Sequence, residues 1–220
     1  MTKSKLQPGY DPACRDCPRL AGYLDQVGRE HPDYHARPVA SFGPKHAALL
    51  VVGLAPGLHG ANRTGRPFTG DHAGILLYRT LHRYGFASHE GSPDPRDGLS
   101  LIGCRVTNAV KCLPPQNKPR PDEVRRCNHY LAEEIAAARP RAILALGAIA
   151  HRAVLMAFRL SPGRHRFAHR GVHELVAASS VTRLFDSYHC SRYNTQTKRL
   201  TARMFETVIR DIATFLRGSS

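Results

Sequence analysis

Carboxylates are scarce in this chain. Its 220 residues carry 17 Asp and Glu against 32 Lys and Arg, a formal net charge of +15 with histidines neutral. The basic residues are spread along the chain rather than gathered in a tail. The surplus therefore predicts a folded basic surface whose natural partner is a polyanion, nucleic acid above all. Long apolar runs are missing too. No stretch of about 18 apolar residues is present, which excludes a transmembrane helix, and the opening segment MTKSKLQPGYDP lacks the apolar core of a signal peptide. A soluble, cytoplasmic, nucleoid-associated protein is expected, with no membrane partner. In a reducing compartment the six cysteines do not form a disulfide framework; they are expected as metal ligands or buried thiols. Internal repeats, low-complexity tracts and interdomain linkers are absent. One domain over residues 1–220 is the expectation, with residues 1–45 as an irregular N-terminal segment that needs an external tether.

What is present follows an alternating pattern. Four short apolar runs, Ala47–Val52, Leu101–Val106, Ala142–Leu146 and Val181–Phe185, read as buried parallel strands. Helical patterns lie between and after them: Gly74–Arg83, Arg125–Arg139, Ala148–Leu160 and Thr201–Leu216. Pro121, Asp122 and Glu123 offer the second of these a start, with proline and carboxylates in the first turn. Alternation of this kind predicts an α/β fold, a three-layer α/β/α sandwich around a central four-stranded parallel sheet.

The chemistry concentrates after the strands. The segment 53–71, GLAPGLHGANRTGRPFTGD, joins the first strand to the first helix. Loops at the carboxyl ends of strands are where open α/β sheets bind ligands, and this one combines close-approach glycines with His59, Arg63, Phe68 and Asp71. Asn108 follows the second strand and His189 follows the last. If the strands are parallel, all three segments meet in one crevice. An amide matches the donor–acceptor pattern of a base edge, and a histidine can donate to a developing anion. Ser191, Arg192, Asn194 and Thr195 suit phosphates. Bland alternatives stand beside these roles: Phe68 as a core residue, Asp71 as a helix cap, His189 as one structural histidine among thirteen.

Cys14 and Cys17 form a C-x2-C pair, and Cys112 and Cys127 flank a Pro-rich loop. Four thiolates can complete a zinc site or a [4Fe–4S] cluster and would pin the N-terminal segment to the domain. Cys104 reads as a small core residue.

The segments GLAPGLHGANRTGRPFTGD at 53–71, TNAVKC at 107–112 and HCSRYNTQTKRLT at 189–201 resemble the type 5 group of the uracil-DNA glycosylase superfamily. The resemblance covers nearly the whole chain. It implies a structural [4Fe–4S] cluster on Cys14, Cys17, Cys112 and Cys127, stapling the fold. It implies a monofunctional DNA glycosylase of base excision repair, which flips out uracil and other deaminated bases such as hypoxanthine and leaves an abasic site. The substrate would be double-stranded or single-stranded DNA, and the enzyme a monomer. By position, Phe68 would stack on the base, Asn108 would bond its edge, His189 would stabilise its departure, and Asp71 would act on the sugar or on water. Gly53, Leu54 and Ala55 would line the pocket, with Ala55 where other branches carry a water-handling polar residue. His59, Arg63 and the run Ser191, Arg192, Tyr193, Asn194, Thr195 would face DNA, with Tyr193 as the wedge. Cys190 stands where relatives have proline, and Lys198 where many have glycine. The competing readings are a type 4-like enzyme strict for uracil, a non-catalytic iron–sulfur nucleic-acid-binding module, and an iron–sulfur electron carrier.

Overall fold

The computed structural model describes residues 9–91, 93–177 and 180–218. The first eight residues of the N-terminal segment, together with 92, 178–179 and 219–220, lie outside the described residues.

Five strands form one sheet in the order β2-β1-β3-β5-β4. They are β1 (Leu49–Gly53), β2 (Cys104–Asn108), β3 (Ala142–Leu146), β4 (Val172–Ala177) and β5 (Ser180–Ser187). The first three and β5 run parallel, while β4 pairs antiparallel with β5. The expected four-stranded, wholly parallel sheet is thus corrected to five strands with an antiparallel edge. The missed strand is VHELVA. As an edge strand it buries Leu175 and leaves Val172, Glu174 and Val176 exposed, so it carries no continuous apolar run of the kind that marks the inner strands. The remaining strand ends move by a few residues, most usefully at β2, which extends to Asn108.

Both faces of the sheet are covered. Leu49, Val51, Leu144, Leu146 and Phe185 pack on one side against Leu77 and Leu81 of α3 (His72–Arg83) and Phe205, Val208 and Ile212 of α7 (Ala202–Gly218). Leu50, Val52, Ile143 and Leu184 face the other side. There they meet α1 (Pro18–Glu30), α4 (Pro121–Ala138) and α5 (Ala148–Ala157) through Leu20, Leu24, Leu131 and Val154. Successive residues of a strand alternate faces, so the all-apolar runs are those of a sheet buried twice over. Two short helices, α2 (Ala61–Thr64) and α6 (Arg192–Gln196), lie in the loops at the carboxyl edge of the sheet.

Residues 1–45 were expected to be irregular, and here the structure also corrects the sequence reading. Pro18 opens α1 directly after Cys17, and Leu20, Leu24 and Val27 form the buried stripe of an amphipathic helix. Arg19 grips Glu123 of α4 through Nε and Nη2 at 2.7 and 2.6 Å. Tyr10 donates to the Pro38 carbonyl. The segment is held by its own apolar and polar contacts with the domain. Glu123 has a second task, accepting from the Arg120 N–H to cap α4, and these donors hold its carboxyl below the usual range against the opposing effect of burial.

Candidate active site

The carboxyl ends of β1, β2, β3 and β5 open into one cavity of about 430 Å³, within the range of small-molecule sites. Its lining brings together Leu54, Ala55, Phe68, Asp71, Asn108 and His189, residues that the sequence placed in one crevice, along with Ser191 and Arg192. Gly53, expected in the lining, is not among the lining residues; it lies behind them, packed against Phe68 and Asn108 with no room for a side chain of its own.

Phe68 is 4% exposed and adopts a positive φ of 54°. A bulky residue in the left-handed region is a strained conformation that the surroundings must impose. They do so at both ends of the segment. Arg66 is clamped by Asp97, by the Asp94 and Pro95 carbonyls and by Thr69. The helix α3 then starts so tightly against Phe68 that a Cβ on Gly74 would overlap the Phe68 carbonyl. The ring of Phe68 stacks with that of His189, centroids 6.0 Å apart and planes 27° from parallel.

Asp71 is both a helix cap and a pocket residue, so the two readings of it are compatible. Its Oδ1 accepts from the Gly74 N–H at 2.7 Å, as an N-cap does. Burial pushes its carboxyl above the usual range, with the Gly74 and Ala73 amides opposing. Asn108 is 4% exposed, and its side-chain oxygen has no hydrogen-bond partner among the described residues. A buried amide oxygen left unpaired is costly unless a ligand completes it. His189 is pushed down to about 4 by burial and is a neutral imidazole at physiological pH.

The segment after β5 supports His189. Asn194 donates from Nδ2 to the His189 carbonyl at 2.8 Å, Ser191 caps α6 by accepting from the Asn194 N–H, and Thr195 Oγ1 lies 2.9 Å from His72 Nε2. The side chains of Ser191, Asn194 and Thr195 are thus engaged within the protein, whereas Arg192 and Tyr193 project outward, Tyr193 with 71% exposure. Cys190 is fully buried, so the position holds a small core side chain. Lys198 has a φ of 57°, the left-handed region that glycine adopts freely, which accounts for the glycine expected at this position in relatives. His59 and Arg63 sit outside the cavity lining, exposed at its rim. The Tyr34 hydroxyl bonds His59 Nδ1, and Arg63 donates to the His59 carbonyl.

The sequence reading missed His72, Asn117, Gly147, Ala148 and Ile149 among the lining residues. Gly147 was the findable one. It ends an apolar strand and has a φ of 94°, its N–H bonds the Ser187 carbonyl, and a side chain there would point at His189 Cβ, 3.6 Å away.

Two clusters could hold metals. Cys14, Cys17, Cys112 and Cys127 line one small cavity between α1 and α4. Burial, and after it the neighbouring sulfurs, push the Cys112 thiol up. His151, His173 and Asp186 bring three ligand atoms within 4.8 Å of one another, although His151 Nδ1 and His173 Nε2 already pair with the Asp186 oxygens at 2.8 and 3.2 Å.

Among families of known proteins, the chain matches the description "Uracil DNA glycosylase superfamily" over residues 40–213, a span that holds the sheet and every residue lining the cavity. The chain belongs to this superfamily. A type-5 uracil-DNA glycosylase of Thermus thermophilus is 46% identical over 203 residues, 90% of this chain and 91% of that protein. One of Pyrobaculum aerophilum is 42% identical over 91% of this chain and 88% of that protein. A type-4 uracil-DNA glycosylase of the same archaeon matches only 56% of this chain, at 37% identity. The resemblance to the type 5 group is therefore shown along nearly the whole superfamily domain. Superfamily members are hydrolases of N-glycosidic bonds, and no helix among the described residues is long and apolar enough to cross a membrane.

Proposed function

We propose that the chain is a monofunctional uracil-DNA glycosylase of type 5 character, which removes uracil and other deaminated bases, hypoxanthine included, from DNA. The observation that carries the reading is the unpaired Asn108 oxygen buried beside Phe68 and His189. A base entering the cavity would stack on Phe68, a contact of about 1–3 kcal/mol, and supply Asn108 with its missing donor. Flipping costs a few kcal/mol and is cheapest at a mispair. As the N-glycosidic bond lengthens, negative charge gathers on the base and positive charge on the sugar. The neutral His189 donates a hydrogen bond to the base without first losing a proton. Asp71, once ionised, stabilises the sugar cation or holds water against it. Ala55 puts no polar group into the cavity, which favours tolerance of several bases over strict uracil selection. Duplexes with a single uracil, hypoxanthine or normal base, treated with protein and then alkali, test this. Cleavage at both lesions only after alkali is expected. Borohydride trapping of a covalent adduct would overturn the monofunctional mechanism.

The donor set of Cys14, Cys17, Cys112 and Cys127 fits a [4Fe–4S] cluster. All four sulfurs line one cavity, and the Lys111 N–H points at Cys127 Sγ at 3.3 Å, a bond suited to a cluster thiolate. A mononuclear zinc would draw its four sulfurs to about 2.3 Å from the ion. The resemblance of the chain to the type 5 group favours the cluster over a lone zinc ion. When bound, the cluster supplies a structural tie between α1, α4 and the loop after β2, remote from the cavity that holds His189. One domain acting as a monomer completes the reading.

A further inference from the structure

A basic loop outside the assigned machinery returns to the carboxyl edge of the sheet, the edge at which the cavity opens. No carboxylate occurs between Glu134 and Glu174, and within that span residues 161–171 read SPGRHRFAHRG. Arg164 and Arg166 are exposed, and no ion pair to either is present among the described residues. The chain leaves α5 at the amino edge of the sheet and climbs back to the carboxyl edge before β4 begins, because Val172 pairs with Phe185 near the end of β5.

The loop is fastened to the site on two sides. His151, two residues after the cavity-lining Ile149, bonds the His165 carbonyl through Nε2 at 2.8 Å and Asp186 Oδ1 through Nδ1 at 2.8 Å. On the second side, His169 stacks on Tyr188, centroids 5.0 Å apart, and its Nδ1 accepts from the Tyr188 N–H. Tyr188 immediately precedes His189. Arg199 lies over the other part of this cluster, its guanidinium 4.7 Å from the Tyr188 ring centroid. The backbone bonds Arg170 N–H to Asp186 O and Asp186 N–H to Gly171 O close the loop onto β5.

We infer that this braced loop is a second phosphate-binding rim, with Arg164 and Arg166 gripping the DNA backbone on the flank opposite the 57–72 segment. A fixed loop presents its guanidiniums without a large ordering cost, and arginine suits phosphate through its planar fork. The inference rests on the glycosylase reading, and the test separates the two.

The measurement is duplex affinity against salt for the wild-type holoprotein and for Arg164→Gln/Arg166→Gln. Each phosphate contact contributes about 0.9 to the slope of log affinity on log salt. The double variant is expected to lower the slope by about 1.8 while single-turnover base release at saturating protein stays within about twofold. A matched double variant, Arg139→Gln/Arg159→Gln, removes two exposed arginines at the opposite edge of the sheet and is expected to leave the slope intact. An unchanged slope in the loop variant, or an equal fall in the control, overturns the rim. A second measurement uses wild-type protein alone. Shortening the duplex on one side of the lesion should erase the extra salt dependence on that side only, and loss that is symmetric about the lesion sinks the proposal. Wild-type protein that binds uracil duplexes yet releases no base would instead undo the glycosylase reading.

Discussion

Gly53 and Asn108 face each other across the ends of β1 and β2, and only a hydrogen on Gly53 leaves room for Phe68, whose Cζ would lie 2.6 Å from an added Cβ. The Phe68 ring and the Asn108 amide therefore share one backbone gap. Gly53→Ala is expected to push the Phe68 ring or the Asn108 amide out of place. Displacements of this size cost about a hundredfold in rate, and overpacking lowers stability by about 1–3 kcal/mol. Single-turnover base release and thermal melting measure the two effects. A variant that melts lower but excises at the wild-type rate would show that the gap serves packing alone.

His189→Ala should slow base release by about tenfold to a thousandfold, with duplex affinity nearly intact. Equal losses of rate and affinity would mean that the ring holds the α6 segment rather than the leaving base. The lowered proton affinity of His189 has its own signature. Its folded value of about 4 lies below the ordinary 6.5, so the unfolded chain binds the proton more readily. Stability from this group is present above about 6.5 and is lost as pH falls towards about 4. Chemical denaturation across that window should show a slope that His189→Ala reduces.

Asp71 shifts the other way. Burial raises its carboxyl, so the ionised form that the proposed mechanism uses is lost, as pH falls, sooner than for an exposed aspartate. The acid limb of kcat/KM should lie above the ordinary aspartate range, and Asp71→Asn should remove that limb along with most of the rate. The same shift means that the folded state holds this proton more tightly than the unfolded chain. Its stabilising contribution is present at low pH and disappears as pH rises through the folded value.

Cys127→Ala is expected to bleach visible absorbance and lower Tm, because a group bound only by the folded chain contributes its binding energy to folding. Cys104→Ala, at a buried thiol outside the cluster cavity, should keep the colour. Colour that survives Cys127→Ala would remove that sulfur from the ligand set.

The central strands β1 and β3 were legible because a strand buried on both faces is apolar at every position, as LLVVG and AILAL are. The edge strand β4 and the helix α1 were not, since each buries one face and mixes His, Glu, Asp and Gln into its run. The crevice followed from placing polar residues at parallel strand ends. Most of its second wall did not, because Ala148 and Ile149 are apolar residues that look like any strand-to-helix turn in sequence. The internal duties of Asn194 and Thr195 were likewise invisible, since an amide or hydroxyl suited to phosphate is equally suited to a carbonyl four or five residues away.

The order β2-β1-β3-β5-β4 gives the cavity a history as well as a shape. Its stacking wall is complete in sequence by Asp71 and its amide by Asn108, but its imidazole lies beyond the final parallel strand. On the proposed reading, a chain cut short before β5 would carry the phenylalanine and the amide but not the imidazole that serves the leaving base.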